Sequence, residues 1–296
     1  MKNLDVIGKK KIFFVISAIL IIISLGSLVM NGLNFGIDFK GGSIIQIEMH
    51  QQFKPSEIRE ITDGFDKSAD ITYAGDKKTQ LIINTQEDMD EDQYSQVFNQ
   101  FKEKYDLKDT DFLSSEKVSG TIGDELKNQA LLASVVAILL MMIYIWFRFE
   151  FHFGVAAIVA LAHDIIIVLG VYSIFNIQVN SPFIAAILTI LGYSVNDTIV
   201  VFDRVRENRR KYKKSQNAEL VNDSVNQTMA RSINTTLSTL LAISALYLMG
   251  VQAIQDFTLP LMIGFISGAY SSIFIANPVW YMLQERKNLK PRSVNN

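Results

Sequence analysis

Six apolar stretches, each almost free of charge, decide what this chain can fold into. They cover residues 12–30, 130–147, 154–175, 182–202, 233–251 and 257–283. A helix rises about 1.5 Å per residue, so about 20 apolar residues cross the roughly 30 Å hydrocarbon core of a bilayer. The composition agrees, because 49% of the residues are hydrophobic. The sequence therefore predicts a membrane α-helical fold with six transmembrane helices.

The distribution of charge predicts how these helices are oriented. Short loops rich in lysine and arginine stay in the cytoplasm. Basic residues cluster near the N-terminus, at Arg148, in the C-terminal tail and in a loop predicted over 203–232, which holds 8 Lys/Arg against 4 Asp/Glu. Residues 31–129 hold 11 Lys/Arg against 20 Asp/Glu. With six crossings, both termini fall in the cytoplasm and residues 31–129 form an extracytoplasmic domain. Retention in the cytoplasm explains the basic loop without a nucleic-acid or anionic-lipid site.

The same pattern divides the chain into four parts. Residues 1–30 hold a basic N-terminus and the first helix, an uncleaved signal anchor whose apolar core is longer than that of a signal peptide. Residues 31–129 form the extracytoplasmic domain, residues 130–283 the other five helices, and residues 284–296 a cytoplasmic tail. Because cysteine is absent, a disulfide framework, a thiol nucleophile and a cysteine metal site are excluded.

Hydrophobic periodicity predicts a small α+β domain between the first two membrane helices. Strands are expected over 42–50, 69–74, 79–84 and 111–118, and helices over 55–66 and 90–105. The resulting order β-α-β-β-α-β is that of a ferredoxin-like split βαβ unit. Such a fold implies no chemistry by itself.

A glycine-rich segment joins the first membrane helix to this domain. It contains Gly36, Asp38, Gly41 and Gly42. Neither the P-loop spacing nor the dinucleotide-binding spacing is present, and no strand precedes the segment. The sequence therefore predicts a tight linker that needs positive φ angles, not a phosphate-binding loop. No ATP site, other cofactor site or metal-binding spacing is expected from the sequence.

Ionisable residues inside the membrane stretches are the best candidates for function. A carboxylate in hydrocarbon is costly and is kept where it pairs with another group or meets water. Asp197 lies beside Asn196 in the fourth stretch, Asp164 lies in the third, and Arg231 lies just before the fifth. The predicted topology brings these helices together in the cytoplasmic half of the membrane. We expect Asp197 and Arg231 to form a proton-exchanging pair, with Asn196 and Asp164 as further relay candidates.

Simpler interpretations stay open for several of these residues. Arg231 is also compatible with a topology anchor whose side chain reaches the membrane surface, and Asn196 with a hydrogen bond between helices. His163 is typical of a hydrogen-bonded interior group. Gly264 and Gly268 form a small-residue face that favours close packing, either within the bundle or against a partner.

Four segments carry a resemblance to a known family. They are GIDFKGG (36–42), VSGTIGDEL (118–126), GYSVNDTIVVFDRVREN (192–208) and ARSINTT (230–236). By these motifs the chain resembles the SecD/SecF family of the bacterial protein-export machinery, within the RND superfamily. The resemblance covers nearly the whole chain, and the long fourth-helix motif is its most specific part.

The resemblance implies a half-transporter in the bacterial inner membrane that pairs with SecD to form a twelve-helix bundle beside the SecYEG channel. YajC and YidC are further candidate partners, the translocating polypeptide is the implied cargo, membrane lipid surrounds the bundle, and nucleic acid has no part. The resemblance implies use of the proton motive force to assist late-stage polypeptide export, and Asp197 and Arg231 match family positions implicated in proton transport. No enzymatic activity is implied.

Three other functions stay open beside polypeptide export: an exporter half, a protease and a scaffold. An RND-type proton-driven lipid or drug exporter half would usually carry larger outer domains. An intramembrane aspartyl protease would need Asp164 and Asp197 to meet at hydrogen-bonding distance without Arg231 between them. A purely structural membrane scaffold would tolerate the loss of the Asp197 carboxylate.

Overall fold

The protein is described by a computed structural model over residues 4–75 and 77–289. In this part of the chain six helices are long and apolar enough to cross a membrane, which confirms the predicted number. In chain order the elements are α1 (Lys10–Asn31), β1 (Asn34–Phe35), α2 (Ile37–Lys40), β2 (Gly42–Glu48), α3 (Pro55–Thr62), β3 (Asp70–Ala74), β4 (Gln80–Thr85), α4 (Glu91–Tyr105), β5 (Phe112–Val118), α5 (Gly120–Arg148), α6 (Phe151–Ile174), β6 (Gln178–Val179), α7 (Ser181–Asn208), α8 (Asn217–Met249), α9 (Gln252–Ser271) and α10 (Asn277–Leu289).

Helices α7 and α8 are longer than the apolar stretches that predict them. The interval 203–232, expected to be a loop, is helical except for residues 209–216, which form two 3₁₀ turns and their connection. Beyond the apolar stretches both helices keep one apolar face, and Val205, Val221 and Val225 are buried in the bundle core. A hydropathy pattern ends where charges begin, whereas an amphipathic helix continues as long as one face is covered. The predicted tail over 284–296 lies outside the described residues from position 290 onward.

Helices α6, α7 and α9 form the centre of the bundle. Small residues such as Ala156 and Ala160 on α6 are fully buried, and the Trp280 ring stacks on Phe153 with centroids 4.8 Å apart. The outer helices instead expose large apolar side chains. Phe147 on α5 is 91% exposed and Met249 on α8 is 85% exposed. Apolar surface of this extent is typical of a chain surrounded by lipid or by other membrane helices.

The residues between α1 and α5 form a small four-stranded domain, here called the sheet domain (residues 42–118). Its strands lie in the order β3-β4-β2-β5, and all neighbouring pairs are antiparallel. Helices α3 and α4 cover one face, where Ile45, Ile83, Ile58 and Phe101 are buried. A capping box at Asp90 starts α4. The predicted β-α-β-β-α-β order is confirmed, with bounds that differ by a few residues.

The glycine-rich segment packs tightly against the start of α5. Gly41 has φ +81° and Gly42 has φ +145°, conformations that glycine adopts readily. A Cβ atom at Gly41 would lie 2.6 Å from the backbone nitrogen of Gly120, and one at Gly42 would overlap the Thr85 carbonyl. Gly36, with φ −75°, lies between the two-residue strand β1 and the short helix α2, so the prediction that no strand precedes this segment was wrong. The segment is a close backbone joint between the sheet domain and the bundle.

The two ends of the bundle hold different parts of the chain. At one end β1 pairs in parallel with β6, with Asn34 opposite Gln178, so the start of the sheet domain is attached to the α6–α7 connection. At the other end, the backbone nitrogen of Leu4 donates to Asn226 on α8 at 2.8 Å. Arg209 lies at this second end and pairs with Glu150. The N-terminal segment and the basic α7–α8 connection therefore lie together, opposite the sheet domain.

Candidate functional site in the helix bundle

Asp197 lies on the face of α7 that is turned into the bundle. The side chain is 7% exposed, and its Oδ2 atom has no hydrogen-bond partner within the described structure. Val195 and Thr198 beside it are also buried, whereas Asn196 is exposed. Asn196 therefore points away from the carboxylate next to it in sequence. A buried carboxylate oxygen without a donor is costly in a folded protein, so this atom marks a candidate functional site.

Helix α8 supplies the groups that face Asp197. Ser232 and Arg231 are close enough to act on its carboxylate, Ser232 through its hydroxyl dipole and Arg231 through its charge. Ser232 and Thr236 are buried, and in the described structure neither hydroxyl oxygen has a hydrogen-bond partner. Arg231 is exposed, and no ion pair within 4.0 Å joins it to Asp197 among residues 4–75 and 77–289. The two residues are neighbours on adjacent helices, but their charged groups are separated.

Asp164 on α6 is the centre of a separate, fully connected group, here called the serine tie (Asp164, Ser194, Ser267 and Ser271). The Asp164 carboxylate is fully buried. Its Oδ2 atom accepts hydrogen bonds from Ser194 on α7 and Ser271 on α9, both at 2.7 Å. Its Oδ1 atom accepts one from Ser267 on α9 at 2.6 Å. The three serines were not predicted as carboxylate partners, although the spacing of Ser267 and Ser271 signals a shared helix face.

His163 is also bonded to the Asp164 carboxylate. Its Nδ1 atom lies 3.1 Å from Asp164 Oδ1, and its ring stacks on Tyr270 with centroids 5.8 Å apart. The His163 side chain is 4% exposed, and in this structure its Nε2 atom is buried without a hydrogen-bond partner. His163 is thus an interior group that packs between α6 and α9. No group of three or more His, Asp or Glu residues in the described part of the chain is placed to hold a metal ion.

One turn further along α7, a second hydroxyl contact joins α7 to the segment that follows α9. The hydroxyls of Thr198 and Ser272 lie 2.8 Å apart. Residues Ser272–Ala276 form a π-helical turn, and the side chain of Asn277 donates to the Ser272 carbonyl at 2.6 Å. Such π turns interrupt the regular hydrogen-bond ladder and occur frequently at functional sites. This one lies beside the buried polar groups of α7.

Gly264 and Gly268 lie where α9 crosses α7. A Cβ atom at Gly264 would be 2.5 Å from Ile190 Cδ1, and one at Gly268 would be 3.3 Å from Ser194 Cβ and 3.6 Å from Asp164 Oδ2. The absence of a side chain at both positions lets the two helices approach closely. The face formed by these glycines is therefore turned towards α7, next to the serine tie.

The predicted residues fall into two separate groups. Asp197 faces α8 near Arg231, whereas Asp164 faces α9 through the serines, and no hydrogen bond joins the two carboxylates within the described residues. A protease needs two aspartates that share a proton, so this geometry argues against that alternative. Asp38 lies at the far end of the bundle, where its Oδ2 atom accepts from the backbone nitrogen of Ser181 at 2.7 Å.

Two family models match the chain. The model "Protein export membrane protein SecD/SecF, C-terminal" matches residues 97–286, which is more than half of the chain. The model "SecD/SecF GG Motif" matches residues 26–52, which include Gly36, Asp38, Gly41 and Gly42. The chain belongs to the SecD/SecF family. Asp164, Asp197 and Arg231 lie in the part of this chain that the first model matches.

Similar proteins and structures agree with this assignment. The protein translocase subunit SecF of Sebaldella termitidis is 36% identical over 99% of this chain and 98% of its own length. SecF of Petrotoga mobilis is also 36% identical, over 97% of this chain and 98% of its own. The crystal structure of SecDF from Thermus thermophilus has a TM-score of 0.80 at 34% identity and covers 97% of this chain. This chain spans 39% of that SecDF chain.

The family assignment fixes the class of the protein. The chain is a multi-pass membrane protein and a SecF-type subunit of a protein translocase, with the six-helix bundle and small α+β region of a SecDF-like structure. It is a transport protein, and its membership of a protein-export family separates it from the alternative of a lipid or drug exporter. The alternative of a purely structural scaffold depends on whether the protein needs the Asp197 carboxylate.

Proposed function

We propose that this subunit uses the proton motive force to assist the late stage of polypeptide export, and that Asp197 takes up and releases the proton. The observation that carries this proposal is the Asp197 carboxylate itself. It is buried in a membrane-spanning helix, its Oδ2 atom has no hydrogen-bond partner in the described structure, and Ser232 and Arg231 of the next helix act on it. Ionisable groups in such positions are rare and typically line ion or proton paths.

The separation of Asp197 from Arg231 is central to the proposed mechanism. Arginine stays protonated, so its distance from a carboxylate determines how strongly it stabilises the ionised form. A shift of α8 against α7 would bring the two groups together or draw them apart, and the proton would be released or taken up accordingly. One charge moved through 100 mV supplies about 2.3 kcal/mol, which is enough to bias a two-state equilibrium.

A second half of the transporter is proposed to cover the polar face of α7 and α8. Asn196 on α7 and Arg231, Asn234 and Thr235 on α8 are exposed in this chain. Polar side chains within a membrane face other helices or water rather than lipid. The solved Thermus relative is SecDF, and this chain matches 39% of it. These observations support SecD as the partner that faces α7 and α8. The family resemblance extends the proposed assembly to SecYEG and the exported polypeptide, and further to YajC and YidC.

The proposed orientation places the sheet domain outside the cytoplasm of a bacterial cell. Support comes from the basic residues Arg148, Arg206 and Arg209, which lie together at the end of the bundle opposite the sheet domain. Positive charge of this kind stays on the cytoplasmic side. Both termini are then cytoplasmic, and the sheet domain is on the side where the exported polypeptide emerges.

Replacement of Asp197 by asparagine tests the proposal, because it removes the titrating group with little change in volume. Export into membrane vesicles that contain the full translocase would be measured with and without a protonophore. We expect Asp197→Asn to export at the rate that wild type shows with the protonophore present. Asp203→Asn, a change on the same helix at a partly exposed carboxylate that pairs with Arg148 and Arg206, should keep the proton-dependent component. Undiminished proton-dependent export by Asp197→Asn would contradict the proposal and favour a purely structural scaffold.

A further inference from the structure

The two buried carboxylates of the bundle differ in how their oxygens are occupied. Both Asp164 oxygens have donors: Ser194 and Ser271 donate to Oδ2, and Ser267 donates to Oδ1, which also lies 3.1 Å from His163 Nδ1. Asp197 Oδ2 has none in the described structure. A proton on Asp164 would have to displace one of these donors, whereas Asp197 Oδ2 is open to one. Asp164 is therefore suited to hold helices together, and Asp197 to exchange a proton.

The serine tie fixes the rotation of the helix that carries Asp197. Ser194 precedes Asp197 by three residues on α7, and successive residues of a helix are about 100° apart. When Ser194 is bonded to Asp164, Asp197 points about 60° away, towards α8. The contact between Thr198 and Ser272 holds the next turn of α7 in the same rotation. A rotation of α7 that moved Asp197 relative to α8 would break both contacts.

Close helix packing is a condition for this arrangement. Gly268 lies against Ser194 and Asp164, where a Cβ atom would already be 3.3 Å from Ser194 Cβ. The hydroxyls of Ser267 and Ser271 reach Asp164 from either side of this glycine. The small residues of α9 therefore both donate hydrogen bonds to the Asp164 carboxylate and allow α9 to pack closely against α7. In hydrocarbon, where water does not compete, such hydrogen bonds between helices stabilise one arrangement of the bundle.

We infer that Ser194, Ser267 and Ser271 are positioning residues, which act through Asp164 to hold Asp197 in the orientation where it exchanges its proton beside α8. This inference deepens the proposed function and rests on it. Arg231 on α8 is the charged group that acts on Asp197 within the described structure, and Asp164 and His163 of α6 lie beyond Ser194. At this depth α9 contributes the serine hydroxyls and Tyr270.

Carbodiimide labelling gives a direct readout of the proton on Asp197 that does not depend on export. A hydrophobic carbodiimide modifies protonated carboxyl groups in membranes, and mass spectrometry of the purified complex assigns the product to a residue. The labelling of Asp197 is measured against pH in wild type and in the Ser267→Ala/Ser271→Ala variant. We expect the midpoint of the labelling profile to shift by at least about 0.5 pH unit, or about threefold in proton concentration.

A matched control separates positioning from a general loss of helix contacts. The hydroxyls of Ser27 on α1 and Ser173 on α6 also form a pair between helices, at 2.8 Å, away from Asp164. Ser27→Ala/Ser173→Ala should leave the Asp197 midpoint unchanged, and Ser267→Thr, which keeps a hydroxyl, should keep the wild-type midpoint. If the double alanine variant does not fold, Ser194→Ala is measured in its place.

An unchanged midpoint in the folded Ser267→Ala/Ser271→Ala variant would overturn the inference, as would an equal shift in the Ser27→Ala/Ser173→Ala control. Failure of the proposed function has a different signature. In that case Asp197→Asn would retain proton-dependent export, whereas the effect of the serines on the labelling of Asp197 would still be measurable.

Discussion

The backbone nitrogen of Ser181, the first residue of α7, donates a 2.7 Å hydrogen bond to the Asp38 carboxylate of the glycine-rich segment. The residue that precedes α7, Asn180, makes no side-chain cap of its own. Asp38 therefore supplies the cap from a distant part of the chain, and its negative charge suits the positive end of the helix dipole. The linker to the sheet domain is thereby attached to the start of the helix that carries Asp197.

The first prediction concerns this cap. Asp38→Ala removes the acceptor and should lower the free energy of unfolding by about 1 kcal/mol, the usual cost of a lost helix cap. The apparent melting temperature of the purified protein in detergent would report the loss. Asp63→Ala, at an exposed carboxylate after α3, is the control and should change the melting temperature little. Equal melting temperatures for Asp38→Ala and wild type would show that the cap adds nothing.

Alanine substitutions at two glycines with similar backbone angles distinguish the cost of backbone strain from the cost of a steric clash. Gly41 has φ +81° and would place a Cβ atom 2.6 Å from Gly120, whereas Gly32 has φ +69° and nothing within 4 Å. Alanine at Gly32 therefore adds only strain, of order 1 kcal/mol. Alanine at Gly41 adds a clash with the backbone and should lower the melting temperature considerably more. If both variants melt at the same temperature, the close joint with α5 is not what position 41 requires.

A pH dependence is expected in the sheet domain at Asp66. Burial opposes its ionisation, but hydrogen bonds from Ser68, Thr85 and the Gln86 backbone outweigh this effect and hold the pKa of Asp66 below its usual value of 3.8. The stabilisation is therefore complete above pH 3.8 and is lost as the pH falls through the lower, folded-state pKa.

Hydrogen exchange tests this expectation directly. The backbone amides of Ser68 and Gln86 both donate to Asp66, so their protection, corrected for intrinsic exchange, should decrease as the pH drops below about 4. Asp66→Asn should show a flatter profile over the same range. A wild-type profile as flat as that of the variant would contradict the assigned cause.

Much of the architecture follows from local patterns in the sequence. Long charge-free stretches predict the six membrane helices, and alternating residues such as Ile45 and Ile47 predict the strands of the sheet domain. These signals lie within about 20 residues of chain and depend little on the rest of the fold. The ends of α7 and α8 were missed because hydropathy falls where the charges begin, although one apolar face continues to be buried.

The arrangement of the site depends on contacts that no local pattern records. Asp164 and Ser267 are 103 positions apart in sequence and meet only because α6 packs against α9. The sequence placed Asp197 and Arg231 at a similar depth on neighbouring helices, but helix rotation decides whether their charges touch. It also grouped Asp164 with Asp197, whereas the structure turns them towards different neighbours. The depth of a residue in the membrane can be predicted from its position along the helix. The rotation of the helix about its axis is set by packing against other helices.

The proposed orientation predicts which side of the membrane each end of the bundle faces. Because the chain contains no cysteine, single cysteines can be introduced without background. Asp63 in the sheet domain and Lys213 in the α7–α8 connection are both exposed. In intact cells a membrane-impermeant maleimide should label Asp63→Cys and not Lys213→Cys, whereas inverted vesicles should give the reverse. Labelling of Lys213→Cys in intact cells would reverse the orientation assigned from the basic residues.

The most direct measurement is completion of a stalled export intermediate under an imposed proton gradient after ATP is exhausted. Vesicles that contain the full translocase would receive a gradient of either sign. With Asp197 present, the polypeptide should finish crossing only when the compartment that faces the sheet domain is the more acidic, and with Asp197→Asn it should not finish under either gradient. Completion at the wild-type rate by Asp197→Asn would contradict the assignment of the proton to this carboxylate.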